Sequence, residues 1–149
     1  MKSLLNPQDL QHLQLRINDL EISSARRWGT MTVEEMLTHC IRQIQLAIGE
    51  IQAPAQGPGI LHTAIGKWIS LSGIPWPKGL PTPREMNMKK ESITLDNFEV
   101  VRNQLLEYLN KAISTLSLAA HPFFGNLSRE EWGRLIYKHL DHHLKQFGQ

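Results

Sequence analysis

Apolar side chains recur every three or four residues along most of this 149-residue chain and rarely alternate, so the pattern predicts helices rather than strands. Asn6-Pro7 reads as an N-cap with proline at the first helical position. Leu10, Leu13, Ile17 and Leu20 then give a first helix near residues 6–21. Thr32-Val33-Glu34-Glu35 has the form of a capping box, with two acids in the first turn to suit the helix dipole. Val33, Met36, Leu37, Cys40, Ile44 and Ala47 form the stripe that follows, and Gly49 ends it. A short helix is predicted around Ile60–Leu71.

Thr94-Leu95-Asp96 opens a third long helix whose stripe runs through Phe98, Val101, Leu105, Tyr108, Leu109, Ala112 and Leu116 to about Leu118. After the break at His121-Pro122-Phe123-Phe124-Gly125, Ser128-Arg129-Glu130-Glu131 forms a second capping box. It starts a last helix with Trp132, Leu135, Ile136, Leu140 and Phe147 inward, ending at Gly148. Residues 73–91 hold six prolines and glycines between Gly73 and Pro83, and read as a long Pro-rich connection. That connection, with Trp76, is a candidate wall or lid over a site; its plainer role is a crossover. The predicted fold is therefore all-α: a four-helix bundle with a short accessory helix, in a single domain over 1–149.

Composition narrows the partners. A content of 41% hydrophobic and 20% charged residues suits a globular protein and excludes disorder. The net charge is +2, and the basic pairs Arg26-Arg27 and Lys89-Lys90 are isolated and without interleaved aromatics, so nucleic acid is not the expected partner. Cys40 is the only cysteine, which excludes an intramolecular disulfide and a Cys-rich zinc site. Only Leu4-Leu5 precede Asn6-Pro7, too little for a signal-peptide core. The apolar stretch from Ile60 to Trp76 is interrupted by His62, Lys67, two glycines and Pro75, so no membrane span is expected. A cytoplasmic protein acting on a small molecule is the simplest expectation. Phosphate-binding glycine loops, nucleophile elbows and CxxC motifs are all missing from the sequence.

Chemistry concentrates at the end of the chain, where three of the seven histidines fall within five residues, His139, His142 and His143. His139 and His143 stand one helical turn apart and point the same way, the spacing at which two imidazoles bind one metal ion. On a helical wheel the apolar stripe centres near Ile136; His143 falls within about 20° of that centre and His139 within about 60°, whereas His142 and Asp141 lie well off it. Imidazoles inside a core stripe need partners: a metal would satisfy both, and so would carbonyls, carboxylates or water. A third ligand must come from a facing helix. His39 sits at the polar edge of its stripe, and the pattern leaves His39, His12, His62 and His121 all open.

Several other residues have two readings. Cys40 could serve as a thiolate ligand but is better read as a small core hydrophobe. Trp28, Trp68, Trp76 and Trp132 are expected in the core or in a lid, Glu34 and Glu35 as helix-start charges. Asp141 could orient a ligand histidine, or simply be a solvated surface acid.

Arg27-Trp28-Gly29-Thr30-Met31-Thr32 leading into Leu37-Thr38-His39-Cys40, with a late His139-Leu140-Asp141-His142-His143-Leu144-Lys145-Gln146, resembles the DinB-like (YfiT-type) superfamily. The closer likeness is to a bacterial branch that also carries His121-Pro122-Phe123-Phe124-Gly125 and Glu131-Trp132. That resemblance implies a helical bundle whose metal ligands are His39, His139 and His143. It implies a divalent metal, zinc or nickel first, with a position open to water or a low-molecular-weight thiol, and often a homodimer. Activities in the superfamily include thiol-dependent S-transfer and thiol-dependent isomerisation. The resemblance thus points to a metal-dependent thiol S-transferase, with a metal-dependent hydrolase or a non-catalytic, stress-related metal-binding bundle as alternatives. A shared bundle does not fix the reaction.

Overall fold

The computed structural model describes residues 1–55, 57–78 and 96–149. Five α-helices and one 3₁₀ turn account for its regular structure: α1 (Pro7–Asn18), α2 (Val33–Ala47), the turn Gly59–His62, α3 (Ala64–Leu71), α4 (Phe98–Ser114) and α5 (Arg129–Gln146). Among the described residues there is no strand, only an isolated bridge between His121 and Gly125. No helix of the described residues is long and apolar enough to cross a membrane.

The helices begin where local chemistry supplies caps. Asn6 accepts from the amides of Gln8 and Asp9 ahead of Pro7. Thr32 and Ser128 each make a complete reciprocal capping box, with Glu35 and Glu131 respectively. Thr63 divides the short helix expected around Ile60–Leu71: its hydroxyl donates to the Ile60 carbonyl and accepts from the Gly66 amide, closing the 3₁₀ turn and opening α3. The helix expected to run to Leu118 stops at Ser114, because the Ser114 and Thr115 hydroxyls take up the Lys111 carbonyl and the backbone turns extended at Thr115. Leu116 consequently points outward, 84% exposed, against the inward position expected of it. Thr94 and Leu95, the expected start of that helix, and residues 79–91 of the Pro-rich connection lie outside the described residues.

Helices α1, α4, α2 and α5 pack in that cyclic order, with α1 closing against α5, and α3 lies outside on α5. The core runs down the middle of these four, through Leu13 and Ile17 of α1, Met36, Leu37 and Ile44 of α2, Leu105 and Leu109 of α4, and Trp132, Leu135 and Leu140 of α5. Each such side chain contributes roughly 1.5–3 kcal/mol by leaving water. Trp132, fully buried, donates its indole N–H to the Ala119 carbonyl 2.9 Å away. The Ala119 amide in turn caps the end of α2 at the Ala47 carbonyl, at 2.8 Å. The segment between α4 and α5 is thus stitched to two helices, which sets the register of α5 against α2.

Candidate metal centre

That register decides where the late histidines go. His139 and His143 lie on successive turns of α5 on the face turned to α2, and His39 meets them from α2. Ring centroids are 4.8 Å apart for His39–His139, 4.8 Å for His39–His143 and 4.6 Å for His139–His143. His39 Nε2 and His139 Nε2 are 2.9 Å apart, one donating and the other accepting. All three rings are buried, and one potential ligand atom from each lies within 4.8 Å of the other two. His39, at the polar edge of its stripe, is buried because that edge faces α5.

Burial keeps His139 and His143 uncharged. Burial pushes the His143 pKa down from 6.5 to about 3, with His39 adding to the shift. Burial, then His143 and His39, hold His139 well below the ordinary imidazole value. Neutral imidazoles offer lone pairs, the form in which histidine ligates metal. His139 Nδ1 is buried with no hydrogen-bond partner among the described residues, so the protein leaves part of the cluster's polar capacity unused. A tetrahedral ion with bonds of about 2.0–2.1 Å spaces its nitrogens about 3.4 Å apart. That spacing falls between the 2.9 Å contact and the 4.8 Å span of the cluster. The three residues are close enough together to hold one metal ion.

The other candidates go elsewhere. His12 is exposed on α1, its Nδ1 3.4 Å from the Tyr137 hydroxyl, and His62 is exposed beside α3. His121 is buried in an aromatic nest of Phe124 and Trp132, where burial and then His62 lower its pKa to about 4; its Nδ1 accepts from the Phe123 amide. Cys40 is fully buried with its thiol toward Met36 Sδ, and burial raises its pKa, so it is a core side chain. Asp141 is engaged in ion pairs, with Arg16 at 2.8 Å and Lys145 at 2.7 Å. Behind His143 stands instead Gln146, whose Oε1 is 2.9 Å from His143 Nδ1. The sequence placed Gln146 three residues on, on the same helical face; periodicity did not separate it from an ordinary buried amide, although the resemblance includes it as the last residue of the late histidine motif.

Aromatic rings surround the cluster's outer side. His142, half-buried, sits between Trp28 (centroids 5.8 Å apart) and Trp76 (6.3 Å), and Trp76 also reaches within 6.2 Å of His139. Lys78 lies over Trp28 and Lys138 over Trp76. Trp76 is anchored through its indole N–H to the Ser70 carbonyl, and Lys138 donates to the carbonyls of Ser70 and Ser72. The 71–76 segment is thereby held as a wall against α5, bounding a groove of about 200 Å³ that His142 and Lys138 also line. Trp132 is in the core as expected, but Trp68 is 68% exposed on the outer face of α3. A helix lying outside the bundle has only one covered side, which pattern alone does not reveal.

The fold and the cluster together define a helical-bundle protein with three buried histidines close enough to hold one metal ion. The chain matches, over residues 1–149, the family described as "Protein of unknown function (DUF1569)", and it belongs to that family. No curated protein and no solved structure matches it.

Proposed function

We propose that the protein is a divalent-metal-dependent enzyme of the DinB-like type, with His39, His139 and His143 as the ligands and zinc or nickel as the metal. The observation that carries this reading is the convergence of three buried imidazoles from two helices, with His139 and His143 held uncharged by burial. When bound, such an ion supplies Lewis acidity and lowers the pKa of a coordinated thiol or water toward neutrality. A donor set made wholly of neutral imidazoles cancels none of the ion's charge, which favours an anionic fourth ligand such as a thiolate. Asp141, the acid closest in sequence, is committed to Arg16 and Lys145 and is not placed as a general base. Thiol-dependent S-transfer is therefore better supported than hydrolysis. The roles left to the chain are to orient the three lone pairs, to shield them from water with Trp28 and Trp76, and to admit substrate along the neighbouring groove. At about 200 Å³ that groove is smaller than the ~300–1,000 Å³ of drug-sized sites, which suits a small substrate.

Metal analysis of protein purified without a histidine tag tests the reading. Wild type is expected to carry close to one equivalent, and the double variant His139→Ala/His143→Ala essentially none. Equal, sub-stoichiometric metal in both would sink the site. Thiol consumption by metal-loaded protein, assayed over several low-molecular-weight thiols and an electrophile panel, then separates an enzyme from a non-catalytic metal-binding bundle. Turnover that persists unchanged in His39→Ala would remove His39 from the mechanism.

A further inference from the structure

Gln146 has both ends of its amide committed, and the order in which they are fixed matters. Its Nε2 lies 2.8 Å from the backbone carbonyl of Trp28. A carbonyl oxygen only accepts, so the NH₂ group must be the end that faces it. Oε1 is then the end presented to His143, 2.9 Å from Nδ1. An amide oxygen carries no proton, so Nδ1 must donate. In a neutral imidazole the lone pair then resides on Nε2, the remaining nitrogen of the ring.

The Trp28 carbonyl is itself held in place. The amide of Arg27 donates to the Gln146 carbonyl at 2.7 Å, so residues 27–29 grip Gln146 by both backbone and side chain across 118 positions of sequence. Gly29 adopts φ +79°, and a Cβ there would come 2.4 Å from Gln146 Nε2. Any side chain at position 29 would be strained by its backbone and would press on the amide. The Arg27-Trp28-Gly29 run thus has a task in common with the late histidines.

We propose that Gln146, oriented by the Trp28 carbonyl and given room by Gly29, is a positioning residue that holds His143 in the Nδ1–H tautomer and so presents its Nε2 lone pair to the metal. The metal half of this statement rests on the reading under Proposed function; the tautomer half does not. The simpler alternative is that Gln146 only ties the 27–29 loop to α5, in which case His143 would have no tautomer preference traceable to it.

Histidine side-chain ¹⁵N–¹H correlation spectra of the metal-free protein at neutral pH read the tautomer directly. Wild type is expected to show His143 protonated at Nδ1. Gln146→Met, which keeps the length but removes the acceptor, is expected to shift the population toward Nε2–H and weaken zinc binding about 10–100-fold. Gln146→Glu keeps an acceptor at Nδ1 and is expected to retain the wild-type tautomer and bind zinc more tightly than Gln146→Met. Gly29→Ala, with the amide intact but displaced, is expected to move both readouts in the direction of Gln146→Met, and it serves should Gln146→Met fail to fold. An Nε2–H tautomer in wild type overturns the proposal, as does zinc bound equally by wild type and a folded Gln146→Met protein. A wild type with the Nδ1–H tautomer that takes up no zinc overturns the metal reading, and this role with it.

Discussion

Single residues in this protein are tuned mainly by burial. His143 takes up a proton only near pH 3 in the folded state and His121 near 4, whereas an exposed imidazole does so near 6.5. In the metal-free protein, acid below about 6.5 therefore protonates the unfolded chain before the folded one. Stability is expected to be full above that value and to fall as pH drops toward 3, by at most about 1.4 kcal/mol per pH unit for each such ring. Denaturant midpoints measured across that window check this, and a flat profile would contradict the buried neutral state. His139 and His143 were legible as a pair because one helix sets their spacing. Gln146 stood at the end of the late motif that carries the resemblance, but its partner was not legible, because that partner is a carbonyl 118 residues away.

At the level of elements, the chain's own signals are strongest at helix starts. Both S/T-x-x-E sequences form complete capping boxes, since the partners are three residues apart and need nothing from the rest of the fold. Ser128→Ala is expected to cost about 1 kcal/mol, read by urea denaturation, and to loosen the helix that carries two of the three histidines. Helix ends were less legible. The first helix stops at Asn18, though Leu20 beyond it is still buried, and α4 stops at Ser114. In both places apolar periodicity outlasts the helix: Leu20 still reaches the core from a turn, whereas Leu116, beyond the end of α4, points outward.

Over the whole molecule, the cluster joins α2 to α5 across 100 residues of sequence, so its occupancy is linked to global stability. Zinc at 100 times its Kd is expected to add about 2.7 kcal/mol to the unfolding free energy, a chelator to remove that gain, and the His139→Ala/His143→Ala protein to show no metal-dependent shift in Tm. Shrinking the core between α2 and α4 should act differently. Leu105→Ala, at a position with no solvent exposure, is expected to cost about 2–5 kcal/mol whether or not metal is present, since it removes atoms and leaves a cavity. A Leu105→Ala loss that zinc abolished would contradict that separation between core and centre.

Local rules were enough, from sequence, for the helical class, the two capping boxes, the core stripes and the one-turn spacing of His139 and His143. All of these depend on residues within a few positions of one another. Periodicity did not decide which of His12, His39, His62 and His121 would join that pair; resemblance singled out His39, and tertiary structure brought its ring to the other two. The reason is geometric: a helical wheel says which way a side chain points along its own helix but not which helix stands opposite. Only the register between α2 and α5, set through Trp132, Ala119 and Ala47, turns a stripe-edge histidine into a buried one. The same holds for Gln146 and Trp76, whose roles exist only once Trp28 and the 71–76 wall have closed around the histidines.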